Sequence, residues 1–133
     1  MRYAVSYVST CAPNLSKSDI SELFEETTKL NNLENITGFL IHSNNNFFQF
    51  LEGEKENIIK LYSRIEKDVR HQNLIKFIEK PVSGLCPEGY ICDCKEIEAE
   101  YEDSKINVYH NYLQVLDPSA RKAALRVMET ILL

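Results

Sequence analysis

The sequence lacks the features of several large classes of protein. It has no cluster of Lys and Arg, and 15 basic residues against 20 acidic ones give a net charge of −5. Nucleic acids and anionic membranes bind clustered positive charge, so neither is an expected partner. The first eight residues lack the apolar core of a signal peptide, and no apolar run approaches the length that spans a bilayer. We therefore expect a cytoplasmic protein.

The four cysteines do not follow a metal-binding pattern. Cys92 and Cys94 are close enough in sequence to chelate an ion, but Cys11 and Cys86 are isolated and no second cysteine pair is present. In a strand, Cys92 and Cys94 would lie on one face with Tyr90, as small apolar side chains of a reduced core do. No metal site is predicted.

Hydrophobic periodicity indicates an α+β fold. Alternation predicts strands over residues 2–9, 36–42, 47–52, 74–79 and 90–97. Apolar spacing of three and four predicts one helix that begins within Ser16-Lys17-Ser18-Asp19 and ends at Asn31-Asn32, and a second that ends near Asp68-Val69-Arg70-His71. The order is the ferredoxin-like βαββαβ pattern, with both helices on one face of an antiparallel sheet and an added fifth strand.

The end of the chain predicts a helical extension. Residues 1–97 are expected to form the core, and residues 98–133 an acidic connection followed by two helices, the last of which begins at Asp117-Pro118. The acidic run from Glu96 to Asp103 is predicted to lie on the surface. Because the last helix is strongly amphipathic, it either covers the free face of the sheet or contributes to an interface.

Gln49 is a lone amide in a stretch otherwise suited to burial. Strand alternation places its side chain on the same face as Phe47 and Leu51. A buried carboxamide without partners costs roughly 1–3 kcal/mol, so hydrogen bonds to both its C=O and its NH2 are expected. A polar ligand is one candidate for that partner.

Two more polar residues join Gln49 in this interpretation. Tyr7 lies on a core-facing row of the first strand, and Asn31 lies at the end of the first helix. A phenol and two carboxamides can converge on a flat heteroaromatic ligand with carbonyls and ring nitrogens. Taken singly, Tyr7 would be a core tyrosine and Asn31 a common helix C-terminal residue. These residues alone do not name the ligand.

The ordered motifs resemble the BLUF family, blue-light sensors that use FAD. The resemblance runs from about residue 2 to residue 82, and the spacing between its motifs is that of the family. The motifs, in chain order, are Tyr7-Val8-Ser9, Asp19-Ile20, Asn31 before Ile36-Thr37-Gly38, Phe48-Gln49-Phe50-Leu51-Glu52-Gly53, and residues 61–71. It implies a bacterial photoreceptor of the short, stand-alone type. The implied cofactor is FAD bound non-covalently, with FMN as the alternative.

The resemblance also implies roles for individual residues. Tyr7 would give an electron and a proton to the excited flavin, and Gln49 would bridge Tyr7 and the flavin N5/O4 edge. Rearranged hydrogen bonds of Gln49 would then produce a red-shifted signalling state. Asn31 would bind the pyrimidine ring. The other implied cofactor-binding residues are Leu23 and Ile65, which sandwich the ring, and Arg64, Asp68, Arg70 and His71.

Some of these residues have an ordinary alternative interpretation. Leu23 and Ile65 are also suited to a simple core position. Arg64 and Asp68 are four residues apart, so on a helix they would form a surface ion pair by default.

The chain departs from the family on the fifth strand. BLUF domains usually carry a tryptophan and a methionine there, near the glutamine, whereas this protein has no tryptophan. Alignment places Tyr90 near the tryptophan position and Cys92 near the methionine position. Both are candidate modulators of the photocycle.

We therefore expect a sensor that is not an enzyme and that signals to an unidentified partner protein. Its oligomeric state is left open. One alternative is a BLUF-derived interaction module that binds no flavin. Another is an acylphosphatase-like hydrolase, but that chemistry needs an Arg and backbone amides in a Gly-rich loop after the first strand, and residues 9–14 contain neither Gly nor Arg.

Overall fold

The computed structural model describes residues 1–83, 89–94 and 103–132, without the side chains of 92–94 and 103–106. Its elements, in chain order, are β1 (Arg2–Cys11), α1 (Lys17–Leu33), β2 (Thr37–Ser43), β3 (Asn46–Glu54), α2 (Lys55–Glu66), β4 (His71–Pro81), β5 (Tyr90–Cys94), α3 (Asp103–Leu113) and α4 (Pro118–Leu132). The predicted α+β, ferredoxin-like order with a fifth strand and two C-terminal helices is confirmed. Residues 95–102, which include most of the predicted acidic connection, lie outside the described residues.

Local hydrogen bonds explain where two helices begin. At α1, the Ser16 hydroxyl accepts the backbone N–H of Asp19 at 3.1 Å, and the Asp19 carboxylate accepts the backbone N–H of Ser16 at 2.9 Å. This capping box satisfies two N–H groups that the first helical turn leaves without partners. At α4, the Asp117 carboxylate accepts the backbone N–H of Ala120 at 2.8 Å.

The sheet has the strand order β4-β1-β3-β2-β5. The first four strands are antiparallel to their neighbours, but β5 runs parallel to β2. The predicted antiparallel sheet is confirmed for the four strands of the core, while the direction of the added fifth strand was not predicted. A tight turn enforces antiparallel pairing between the strands that it joins, as the two-residue turn Asn44-Asn45 does for β2 and β3. No such turn joins β2 and β5, which are distant in the sequence.

The two faces of the sheet are covered by different helix pairs. Helices α1 and α2 pack on the face that carries Val5, Leu40 and Leu51. Helices α3 and α4 pack on the opposite face, where the apolar cluster includes Phe39, Ile41, Phe48, Phe50, Tyr109, Leu113 and Met128. Of the two roles expected for the last helix, the structure shows that it covers the free face of the sheet.

The parts of the chain that the structure describes contain no helix with both the length and the apolar character of a membrane span.

Candidate functional site

Gln49 lies at the centre of the sheet, between two tyrosines. On β3 it is paired with Tyr7 of β1 on one side and with Leu40 of β2 on the other. The Tyr7 hydroxyl donates a hydrogen bond to Gln49 Oε1, and Gln49 Nε2 donates one to the hydroxyl of Tyr90. Since Gln49 and both tyrosines are at most 3% exposed, the amide has the partners that its burial requires.

A cavity adjoins this amide, between the sheet and helices α1 and α2. It contains about 750 Å³ of empty space, part of it continuous with solvent. The cavity lining includes every residue for which the sequence predicted cofactor binding, namely Tyr7, Leu23, Asn31, Gln49, Arg64, Ile65, Asp68, Arg70 and His71.

Further residues that the sequence analysis did not select also line the cavity. They are Glu26, Thr27, Leu30, Leu40, Phe47 and Leu61. Periodicity could have found them. Glu26, Thr27 and Leu30 follow Leu23 at helical spacing of three to four, and Phe47 shares the strand face of Gln49.

Asn31 tests whether the cavity suits a flavin. Its side chain is on α1, 2% exposed, and its Nδ2 has no hydrogen-bond partner among the residues that the structure describes. Leaving such a group unpaired costs roughly 1–3 kcal/mol. A ring carbonyl in the cavity would satisfy this donor, and Leu23 and Ile65 add apolar surface from α1 and α2. The residues present therefore fit a flat ring that carries carbonyl groups.

Charged residues line the mouth of the cavity. The Arg70 guanidinium donates to the Asp68 carboxylate at 2.7 Å and also lies 3.6 Å from Glu26. Burial by itself would raise the pKa of Asp68, but the side-chain and backbone hydrogen bonds from Arg70 outweigh it and hold that pKa below its usual value. The mouth of the cavity therefore carries an ion pair in which the charges of Arg70 and Asp68 balance each other.

Arg64 does not pair with Asp68, so the default ion pair predicted from their spacing is wrong. Helix α2 ends at Glu66, so Asp68 lies beyond its last turn and not one turn above Arg64. Arg64 instead lies 3.4 Å from Glu34, and its side chain is 56% exposed.

His71 forms part of the wall beside Tyr7. Its Nε2 donates to the backbone carbonyl of Ile65 at 2.6 Å, and its Nδ1 lies 2.8 Å from the Ser9 hydroxyl. The ring meets that of Tyr7 edge-on, with centroids 5.9 Å apart. Both ring nitrogens of His71 have partners within the protein. The ring therefore helps to shape the wall of the cavity and does not offer a free hydrogen-bonding group to a ligand.

The fifth strand reaches the site as the alignment predicted for Tyr90. Its phenol contacts Gln49 directly. The backbone of Cys92 is paired with Leu40, which is itself paired with Gln49. The prediction for the Cys92 side chain lies outside the described part of the chain.

The comparisons with known proteins agree with this geometry. The family model BLUF, described as sensors of blue-light using FAD, matches residues 3–84. The chain belongs to the BLUF family. The family to which this BLUF protein belongs consists of blue-light sensors that use a flavin.

Curated relatives of this BLUF protein are longer. Over 70 residues, 53% of this chain, it is 37% identical to the photoactivated adenylate cyclase subunit beta of Euglena gracilis, of which the match covers 8%. Over 44% of this chain it is 32% identical to the blue light- and temperature-regulated antirepressor BluF of Escherichia coli (strain K12), of which the match covers 15%. The chain thus matches only a small part of each.

Solved structures show the same fold. A bacterial light-regulated adenylyl cyclase is 26% identical, with a TM-score of 0.70 over 98% of this chain and 36% of that one. The photo-activated state of BlsA is 24% identical, with a TM-score of 0.66 over 95% of this chain and 93% of that one. The likeness to BlsA concerns fold alone and extends over nearly the full length of both chains.

Proposed function

We propose that this protein binds FAD in the cavity between α1 and α2 and converts blue light into rearranged hydrogen bonds around Gln49. One observation carries the proposal. The Gln49 amide is held between two buried phenols at the wall of an open cavity, whose lining also contains the NH2 group of Asn31, for which the described residues offer no hydrogen-bond partner. Acyl or phosphoryl transfer does not need such an arrangement, whereas a hydrogen-bond switch does.

The lining residues divide into three roles. Asn31 donates Nδ2 to a ring carbonyl, while Leu23 and Ile65 exclude water from the two sides of the ring. Arg64 and Arg70, each beside a carboxylate, bring guanidinium donors to the mouth, where the phosphates of a flavin nucleotide would leave the cavity. FAD is favoured by the family's description. FMN is the alternative, since Klebsiella pneumoniae BlrP1 has been solved with FMN.

Tyr7 is the proposed electron and proton donor. When bound, the flavin supplies absorption of blue light and an acceptor for one electron. The phenolic proton of Tyr7 already lies on a hydrogen bond to Gln49 Oε1, so loss of an electron from Tyr7 can be accompanied by transfer of that proton to Oε1. When the electron returns to Tyr7, a proton returns to its phenolate as well. If Oε1 gives the proton back, the Gln49 amide is left rotated; if a proton from Nε2 is taken instead, the amide is left as its imidic acid tautomer. In either case its donor and acceptor ends are exchanged.

Tyr62 is a less suitable donor, although its ring is 5.9 Å from that of Tyr7. It is not among the described residues that line the cavity, whereas Tyr7 lines the cavity and donates its hydroxyl proton to Gln49. We therefore assign the electron to Tyr7.

The signal is proposed to leave through β5 and the helices after it, residues 98–133 forming the output extension of the core. Tyr90 contacts Gln49, and the carbonyl of the preceding residue, Gly89, accepts a hydrogen bond from Tyr112 of α3 at 2.6 Å. A reoriented amide changes its contact with Tyr90, and a population shift requires such a differential contact. We propose that a partner protein in the bacterial cytoplasm receives the signal. The alternative is a homo-oligomer of this chain.

Hydrogen exchange in the dark and under blue light tests this route. Exchange should change in residues 90–94 and 103–132 more than in the β2–β3 turn, Asn44-Asn45. Equal changes in both places, in protein that shows the red shift, would contradict the route and favour output from the flavin-facing helices.

The absorption spectrum tests the proposed function. The protein should purify with oxidised flavin, and blue light should shift its bands modestly to the red, with reversal in darkness. Colourless protein that FAD does not reconstitute would contradict the proposal and favour the interaction module without flavin.

A further inference from the structure

Asn32 carries a contact that none of the roles described so far explains. It follows Asn31 on α1, but its side chain is directed to β5 and not to the cavity. Asn32 Oδ1 accepts the backbone N–H of Tyr90 at 2.9 Å, and Asn32 Nδ2 donates to the backbone carbonyl of Tyr90 at 3.4 Å. One amide therefore binds both backbone groups of the residue whose phenol contacts Gln49.

The position of Tyr90 at the sheet edge explains why this clamp matters. Strand β5 is five residues long, and among the described residues it pairs only with β2, so no described strand lies beside its outer N–H and C=O groups. The Asn32 amide takes the place of that strand at Tyr90. Gly89 leaves it room, because a Cβ there would lie 2.8 Å from Asn32 Oδ1.

We propose that Asn32 is a positioning residue, which holds Tyr90 within hydrogen-bonding reach of Gln49 and thereby sets the dark orientation of the Gln49 amide. The inference rests on the proposed function and adds a residue to it. A phenol oxygen accepts as well as donates hydrogen bonds, so Tyr90 can receive the Gln49 NH2 while Tyr7 donates to the Gln49 oxygen. An indole N–H at this position could only donate.

The photocycle of Asn32→Ala gives the first test. Asn32 is exposed, so the variant should fold, and it does not line the cavity, so flavin retention should be unchanged. Because the dark arrangement loses support, its return after illumination should slow about two- to tenfold. Asn111→Ala, which removes another exposed helical asparagine, is the matched control and should recover at the wild-type rate.

A double variant separates positioning from general destabilisation. Tyr90→Phe removes only the hydroxyl and should slow recovery to a similar extent. If Asn32 acts through that hydroxyl, Asn32→Ala should have no further effect in the Tyr90→Phe background. Gly89→Ala should displace the Asn32 amide from the other side and slow recovery in the same direction.

Hydrogen exchange without flavin gives a readout independent of light. In the apoprotein, the Tyr90 amide should exchange faster in Asn32→Ala than in wild type or Asn111→Ala, because its acceptor has been removed. Unchanged exchange at residue 90, wild-type or faster recovery, or additive effects in the double variant would overturn this inference alone. A wild-type protein that binds flavin without a red shift would instead overturn the proposed function.

Discussion

Strand β3 contributes adjacent residues to two very different surroundings. Phe48 and Phe50 point to the α3/α4 face, where both are fully buried in an aromatic cluster around Phe39. Gln49, between them in sequence, points to the α1/α2 face, beside a cavity that is partly open to solvent. The first face has a packed aromatic cluster at this level of the sheet, whereas the second combines a buried amide with empty space.

This difference separates stability from function within one sheet. A filled apolar face contributes most of the hydrophobic stabilisation, so the other face can accommodate buried amides and a cavity that would weaken a small protein. Local violations of core packing are expected at functional sites. Substitutions on the two faces should therefore affect different measurements.

Phe39→Ala should produce the largest loss of stability. Phe39 is fully buried and stacks on Tyr109 at 4.6 Å and on Phe48 at 5.7 Å. Truncating a buried phenylalanine typically lowers the free energy of unfolding by about 3–5 kcal/mol. Urea unfolding of the flavin-free protein measures this loss.

Gln49→Leu is the matched control on the opposite face. Leucine has a similar volume, but it takes from the buried Tyr7 and Tyr90 hydroxyls their Gln49 partner. The free energy of unfolding should therefore fall by about 1–3 kcal/mol, less than for Phe39→Ala. Equal losses for Phe39→Ala and Gln49→Leu would remove the proposed distinction between the two faces.

Asn31→Ala should weaken flavin binding while leaving the fold intact. It removes a buried donor that has no partner among the described residues, and one net hydrogen bond corresponds to about two- to tenfold in affinity. Titration of the apoprotein with FAD measures the change, and Asn111→Ala serves as control. Unchanged affinity would show that Asn31 is an ordinary helical residue without a role in flavin binding.

Asp68→Asn should have the smallest effect and a characteristic pH dependence. Because Arg70 holds the pKa of Asp68 below its usual value, the pair stabilises the folded state above about pH 4 and loses that contribution as the pH falls through the lowered pKa. At neutral pH the contribution should be at most about 1 kcal/mol, since the pair is partly exposed.

Urea unfolding of wild type and Asp68→Asn at neutral and acidic pH measures this dependence. The stability difference between them should shrink in acid. A difference that stays constant would show that the carboxylate charge contributes nothing.

The sequence was sufficient to predict much of the fold and part of the lining of the cavity. Strand alternation placed Gln49 on the face of Leu51, whereas Leu23 and Ile65 were assigned to the site by the resemblance to the BLUF family. The direction of β5 was not predictable, since pairing between distant strands leaves no local turn signal. The empty space beside Gln49 was also not predictable from the sequence, because periodicity identifies which positions are buried but not how tightly their side chains pack.

Two details of the site show the same limit at the level of single residues. Arg64 and Asp68 have the spacing of a helical ion pair, but the helix ends between them, and helix ends are the least certain part of a periodicity argument. Asn32 is an exposed asparagine in a helix, and nothing in the local pattern indicates that it binds a backbone 58 residues away.

Light-minus-dark absorption spectra of wild type, Gln49→Leu and Tyr7→Phe test the central claim most directly. The account predicts that all three bind flavin and that only wild type shows the reversible red shift, because leucine cannot bridge Tyr7 to the flavin and phenylalanine has no proton to give. A normal photocycle in either variant would contradict the assignment of the switch to Tyr7 and Gln49.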